Sequence, residues 1–277
     1  MKRTARRVFN FVGLEISTLD RTMVLPKPEP GPEVFNCMGI DWGEAHIDEF
    51  MSNTLPNYEP EYNAFPRKSA DPDVYFSDNS FFGFVDAAVG HSLIRSRRPS
   101  VVVEVGSGFS SRMIRASLDQ NGAGRLVSID PNPRASVKGV SHEYHEANVQ
   151  AIPLSWFKNL PADSVLFVDS SHRGGTGSDV NYLLLEVLPL LRPGVLIHIH
   201  DIYLPYDYPE SWNIDRKFNY SEQYILHALL CFSFGFRVLW PGRWVLRNRT
   251  NELKNLMPHD VDLERHCSFW LERIDRD

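Results

Sequence analysis

Between residues 100 and 250, short apolar runs alternate with stretches whose apolar positions recur at helical spacing. Val101-Val102-Val103-Glu104-Val105 is the kind of run that a strand covered on both faces requires. Met113, Ile114, Ser117 and Leu118 then share one face of a helix over 109–120. RLVSI at 125–129 predicts a second strand, 141–145 a weaker third, and SVLFV at 164–168 a fourth. Val180, Leu183, Leu184, Val187 and Leu188 follow i, i+3, i+4, i+7, i+8 and predict an amphipathic helix over 178–188. After Pro193-Gly194, VLIHI at 195–199 predicts a fifth strand. Asn219 and Glu222 have capping-box spacing ahead of a helical face made by Ile225, Ala228, Leu229 and Phe232. FRVLW and RWVLR, on either side of Pro241-Gly242, read as a hairpin. Strand–helix units closed by such a hairpin predict an α/β fold: a doubly wound, mostly parallel seven-stranded sheet with a terminal antiparallel hairpin.

The flanks look different. Pro26, Pro28, Pro30 and Pro32, then Pro56, Pro60, Pro66 and Pro72, interrupt regular structure, and only 41–55 reads as a short helix. A stripe of Phe81, Phe84, Val85, Ala88 and Val89, capped by Asn79 or Ser80, predicts a helix ending before Pro99. The chain therefore divides into an irregular N-terminal cap segment (1–78), an α/β domain (79–250) and a C-terminal helical extension (251–277). The cap is expected to cover the acceptor side of the sheet, with Asn79, Phe82 and Asp86 within reach of the ligands.

Composition adds exclusions. The chain has 277 residues, 43% of them hydrophobic and 23% charged, which fits a folded domain rather than a disordered one. A net charge of −6 gives no electrostatic drive toward nucleic acid, and no apolar run is long enough to span a bilayer. Cys37, Cys231 and Cys267 are odd in number and far apart, so neither a disulfide framework nor a cysteine zinc site is expected, and a reducing, cytoplasmic setting fits. The basic residues Lys2, Arg3, Arg6 and Arg7 precede no apolar run of signal-peptide type. A homo-oligomer is compatible with all of this.

Glu104-Val105-Gly106-Ser107-Gly108-Phe109-Ser110-Ser111 joins the first strand to its helix. Two glycines there allow a tight turn and close approach of backbone to a ligand, and the helix start offers unpaired N–H groups. The next strand ends at Asp130, where a carboxylate accepts both hydroxyls of a ribose. A nucleoside-bearing cofactor is expected on this loop. A dinucleotide site requires a third glycine, but position 111 is Ser.

The E-V-G-S-G string resembles motif I of class I S-adenosylmethionine-dependent methyltransferases. EVGSGFSS (104–111), VDSSHRGGTGSDVNYLLLEVLPLLRPGVLIHIHDIYLP (168–205) and YDYPESW (206–212) resemble a bacterial subfamily of that class over residues 75–247. At 219–224, NYSEQY stands where the subfamily's string resembles WNE.YL, and only Glu222 and Tyr224 carry over. The resemblance implies a Rossmann-like methyltransferase sheet and S-adenosylmethionine as cofactor. It implies binding by Glu104, Gly106, Ser107, Gly108, Ser110, Asp130 and Asp169, with Glu104 near the cationic methionine end.

Ligands in such sheets sit beyond the carboxyl ends of the strands. Asp169-Ser170-Ser171-His172 leaves the fourth strand there, and His200-Asp201 the fifth, while His198 reads as a core residue one pair deeper. Two mechanisms fit. In one, His172 or His200 is the general base that takes the acceptor's proton, with Asp201 beside it. In the other, Asp169, His200 and Asp201 hold a divalent ion (Mg²⁺, Mn²⁺, Fe²⁺ or Zn²⁺), the positions at which metal-dependent members of the class carry ligands. Tyr203, Tyr206, Tyr208 and Trp212 either line an acceptor pocket or pack as a lid. The function expected is methyl transfer to a hydroxyl of a small molecule, sugar or glycan precursor. The alternatives are a nicotinamide-dependent sugar-modifying enzyme and a catalytically silent cofactor-binding scaffold.

Overall fold

Seven strands form one sheet in the order β3-β2-β1-β4-β5-β7-β6. The computed structural model describes residues 35–133, 135–213, 216, 218–258 and 261–275. The sequence expectations for residues 1–34 lie outside these. Strands β1 (Val101–Val105), β2 (Arg125–Ile129), β3 (Glu143–His145), β4 (Val165–Val168) and β5 (Leu196–Ile199) run parallel. All five residues of β1 and all four of β4 and β5 are buried, which explains why these strands are apolar except for Glu104 and His198. The chain winds outward from β1 through β2 and β3, then returns to β4 on β1's other side. A switch point between β1 and β4 opens the crevice in which such sheets bind ligands.

The antiparallel pair closing the sheet is present, but its second strand is not the one the sequence pattern suggests. β6 (Phe236–Pro241) pairs with β7 (Phe269–Arg273), and β7 inserts between β6 and β5. RWVLR instead begins a helix, Gly242–Asn248. Pro241-Gly242 starts this helix rather than turning a hairpin, and its Arg243, Trp244, Val245 and Leu246 are all buried. The 251–277 segment is corrected likewise. After helix Thr250–Leu256 it ends in strand β7, whose Phe269, Trp270 and Leu271 lie in the core. The apolar stretch of β7 is only three residues long, too short for sequence periodicity to separate strand from helix.

The segment expected to be irregular is largely helical from residue 44 to 63. Helix α1 (Glu44–Glu49) continues as Phe50–Thr54 and Leu55–Asn57, and α2 (Glu59–Asn63) follows. Pro60 opens α2, where the missing N–H costs nothing, and Pro56 follows directly on the π-helical turn Phe50–Thr54. Ile47, Phe50, Met51, Leu55 and Tyr62 join the same core cluster as helix α3 (Phe84–Arg97) and Trp240. The other face of the sheet packs on the Asp179–Leu190 helical stretch through Val180, Leu183, Leu184, Val187 and Leu188. Helix α4 (Phe109–Asn121) follows the glycine loop, and α5 (Glu222–Phe232) lies beyond β5. Among the described residues, no helix is long and apolar enough to cross a membrane.

Candidate active site

Gly106 is the fixed point of the glycine loop. It sits at φ +81, and a Cβ there would lie 1.9 Å from the Asp169 carbonyl oxygen. Only glycine lets the loop pass this close to the end of β4. Gly108 is extended, and a Cβ on it would meet nothing within 4 Å. Its side-chain space belongs to the crevice, not to the fold.

That crevice is a cavity of about 510 Å³ at the switch point. Gly106, Ser107, Gly108, Ser110, Asp130 and Asp169 all line it. Asp130 accepts the Ser107 N–H on one oxygen and the Asn132 N–H on the other, each at 2.7 Å. These bonds fix the carboxylate at the rim and leave each oxygen a free lone pair. Glu104 corrects the expectation, because it does not line the cavity. It is fully buried beneath the loop and accepts hydroxyl hydrogens from Ser110 at 2.7 Å, Ser111 at 2.6 Å and Ser128 at 3.1 Å. Burial pushes its carboxyl up to about 7 against the pull of these serines. Glu104 therefore ties the loop to β2 from beneath the cavity.

The ends of β4 and β5 meet because Val168 pairs with Ile199, which sets Asp169 beside His200. His172 and Asp201 both adopt left-handed backbone (φ 59 and 55), turning their side chains back toward each other across the strand tips. Imidazoles and carboxylates then alternate around a ring. His172 Nε2 is 3.3 Å from Asp169 Oδ1 and 3.7 Å from Asp201 Oδ2. His200 Nδ1 is 3.5 Å from Asp169 Oδ1 and 3.6 Å from Asp201 Oδ1. The two aspartate side chains keep 25% and 18% exposure while both histidine side chains keep 4%, so the carboxylates form the open side. Asp169 belongs to both the ring and the cofactor cavity.

A second carboxylate stands behind each histidine. Glu222, the first residue of α5, is fully buried and makes a very short hydrogen bond to His172 Nδ1. Asp86 of α3, also fully buried, places Oδ2 3.5 Å from His200 Nε2. Burial alone would lower the His172 pKa, but the Glu222 charge, the hydrogen bonds the ring donates to Asp169 and Glu222, and the Asp201 charge outweigh it and hold the ring well above the ordinary range. Burial pushes Asp169 the other way, yet His200 and His172 hold its carboxyl well below the ordinary range. Glu222 was hidden in the sequence by its capping-box spacing. Ser221, not Asn219, precedes the helix, and Glu222 points inward. The visible signal was the carry-over of Glu222 from the subfamily string.

Asp169, His200 and Asp201 do not form a compact donor set. Among the described residues, the one set of three whose donor atoms all lie within 4.8 Å of one another is Asp86, His200 and Cys267. The observed ring pairs each imidazole with the two carboxylates, and the Asp169, His200 and Asp201 donors are not drawn together as closely as that set.

His198 is a core residue, as expected: it stacks on Phe167 at 3.7 Å and shares a 2.9 Å hydrogen bond with Ser268. Asp179 accepts the Ser171 N–H and hydroxyl, holding the DSSH turn. Asn79 caps the turn before α3 through the Phe81 and Phe82 N–H groups, and Phe82 lines the cavity. The aromatic residues after β5 divide. Tyr203 and Tyr206 line a second cavity of about 630 Å³, with the Arg243 guanidinium 4.2 Å over the Tyr203 ring. Tyr208 and Trp212 stack on each other and pack against Tyr220.

Residues 103–202, from β1 to just past β5, match the family model of a methyltransferase domain. Over that span the chain is similar to a methyltransferase domain. The matched span contains both halves of the site: the glycine loop with Asp130, and the DSSH and HIHD strand tips. No curated protein matches the chain. Similar solved structures include the O-methyltransferase TomG from Streptomyces achromogenes, involved in tomaymycin synthesis, in complex with SAM. It is 15% identical over 85% of this chain and 97% of its own, with a TM-score of 0.43. Another is an O-methyltransferase from Bacillus cereus in complex with SAH, 14% identical over 84% of this chain and 98% of its own, with a TM-score of 0.38. At such identities and scores the likeness decides neither acceptor nor mechanism. Those rest on the geometry of the site's own residues.

Proposed function

We propose that this methyltransferase transfers the methyl group of S-adenosylmethionine to a hydroxyl oxygen of a small molecule, sugar or glycan precursor, with His172 as general base. The observation that carries the reading is the carboxylate–imidazole ring at the tips of β4 and β5, joined to the cofactor cavity through Asp169. Adenosine and ribose lie along Gly106, Ser107, Gly108 and Ser110, with Asp130 accepting the ribose hydroxyls. The methyl group then faces the strand tips. The acceptor enters from the open side at Asp169 and Asp201 and extends into the cavity at Tyr203 and Tyr206.

The acceptor oxygen attacks the methyl carbon, the methyl–sulfur bond breaks, and the acceptor's proton passes to His172 Nε2. Glu222 fixes the ring through Nδ1 and stabilises the imidazolium that forms. His200 and Asp201 hold the acceptor hydroxyl. A divalent ion at the tips would supply charge for the developing alkoxide, but the residues there are already paired with one another.

The test is transfer of labelled methyl from S-adenosylmethionine to a panel of hydroxylated small molecules and sugars, beside calorimetric titration with S-adenosylmethionine and with NAD. Once an acceptor is found, His172→Ala should lower kcat by ~10²–10⁴-fold with cofactor affinity unchanged. An unchanged kcat in folded His172→Ala removes the base assignment. Tight binding of NAD instead of S-adenosylmethionine removes the whole reading.

A further inference from the structure

Behind the strand tips, on the far side of the His200 ring, three side chains from distant parts of the sequence meet in the core. They are Asp86 of α3, His200 after β5, and Cys267 just before β7, with exposures of 0%, 3% and 5%. His200 Nε2 lies 3.5 Å from Asp86 Oδ2 and 3.8 Å from Cys267 Sγ, and all three donor atoms fall within 4.8 Å of one another. Asp201 Oδ1 stands 3.1 Å from the same sulfur.

The two oxygens of Asp86 are treated very differently. Oδ1 takes hydrogen bonds from His266 Nδ1 at 2.6 Å, the Cys267 N–H at 3.2 Å and the Ser268 N–H at 2.9 Å. His266 Nε2 accepts the Trp240 indole N–H at 2.6 Å, so the His266 proton is on Nδ1 and faces Asp86. Oδ2, in contrast, is buried without a hydrogen-bond partner and faces His200 Nε2 across 3.5 Å. A carboxylate locked by three donors on one oxygen and bare on the other is how a metal ligand is held by its surroundings. A bare buried carboxylate oxygen otherwise carries a large desolvation cost.

We propose that Asp86, His200 and Cys267 bind a divalent transition-metal ion of the zinc type. Metal–nitrogen and metal–oxygen bonds near 2.0–2.2 Å and a metal–sulfur bond near 2.3 Å place tetrahedral donors about 3.3–3.6 Å apart; the His200–Asp86 and His200–Cys267 separations of 3.5 and 3.8 Å stand close to this, and the third pair lies within 4.8 Å. One imidazole nitrogen, one carboxylate and one thiolate favour zinc or its neighbours over magnesium. Binding releases to solvent the Cys267 thiol proton, which the thiol otherwise directs at Asp201 Oδ1, and the 2+ ion offsets the thiolate and the Asp86 carboxylate. Gly83 is the backbone between the surface and the cluster. It lines a surface cavity of about 390 Å³, and a Cβ on it would sit 3.9 Å from Asp86 Oδ2. An ion on His200 Nε2 fixes the ring's remaining proton on Nδ1, facing Asp169 and Asp201. The site thus orients His200, but its existence does not depend on the acceptor or the reaction.

The experiment is titration of the purified full chain, stripped of metal, with Co²⁺ followed by absorbance. The expected result is a near-ultraviolet sulfur-to-cobalt charge-transfer band that saturates near one equivalent and is reversed by Zn²⁺. The band should persist in the Cys37→Ser/Cys231→Ser double variant and vanish in Cys267→Ser, with Asp86→Asn weakening Co²⁺ binding at least ~10-fold. The proposal is overturned if the double variant shows no charge-transfer band, whether Co²⁺ fails to bind or shows only ligand-field bands, as an oxygen and nitrogen site at Asp169 and Asp201 would give. It is also overturned if a folded Cys267→Ser keeps the band. Should Cys267→Ser not fold, the spectrum of the double variant, where Cys267 is the remaining thiol, decides by itself.

Discussion

Glu222→Gln isolates what the buried carboxylate does for the base. The substitution keeps the shape of the side chain and a hydrogen-bond acceptor for His172 Nδ1, but removes the charge. In the parent, Glu222 leads the effects that raise the His172 pKa, with Asp169 and Asp201 adding to it. Histidine acts as a base only when deprotonated, so parent turnover should climb with pH through a limb well above the reference value of about 6.5. A hydrogen bond to a charged partner contributes ~1.5–3 kcal/mol and a neutral one ~0.5–1.5, a difference of about 1–2 kcal/mol. At 1.36 kcal/mol per pKa unit, the limb should move down by about one unit or slightly more. Turnover on the alkaline plateau should fall as well, because the imidazolium formed on proton transfer loses its counter-charge. The assay is kcat against pH for parent and variant, with S-adenosylmethionine affinity measured alongside as a check on folding. A limb that stays in place while the plateau drops would show Glu222 to be structural packing, and a limb that moves upward would refute the charge argument.

Gly106→Ala should be far more damaging than Gly108→Ala. The first forces a Cβ into the Asp169 carbonyl at positive φ, and the strained conformation alone costs ~1–3 kcal/mol in chemical denaturation. The second meets no protein atom, so stability should hold while S-adenosylmethionine binding weakens. Asp130→Ala should reduce cofactor affinity by up to ~100-fold in calorimetry, the equivalent of up to ~3 kcal/mol for a charged hydrogen bond. Unaltered affinity in the folded variant would move the ribose elsewhere. Glu104 has its carboxyl raised to about 7, so its protonated form favours folding, and that contribution is present below the unfolded value of about 4.3–4.5 and lost as pH rises to about 7. Glu104→Gln should flatten this part of the stability–pH curve in thermal melts, and an identical slope would mean the burial is relieved some other way.

The central α/β pattern was legible from the residues because its strands are buried on both faces and its helices on one. The β-branched run at 101–105, followed at once by a glycine, reads as a buried strand, and the 180–188 stripe as a one-sided helix. The glycine loop, Asp130 and the DSSH and HIHD tips were legible for a related reason: turn geometry and the ends of parallel strands confine where ligands approach. Tertiary structure alone decided what lies behind those residues. Glu104 looks like a pocket acid until the fold shows three serine hydroxyls closing over it. Glu222 looks like a cap until α5 turns it onto His172, fifty residues back in the chain. β7 was invisible because three apolar residues show no period, and its place between β5 and β6 is set by long-range pairing. That pairing brings Cys267 to His200 and Asp86, joining residues 181 positions apart around one carboxylate. Local spacing encodes faces and turns, whereas a buried cluster assembled from three distant segments exists only once the sheet has closed.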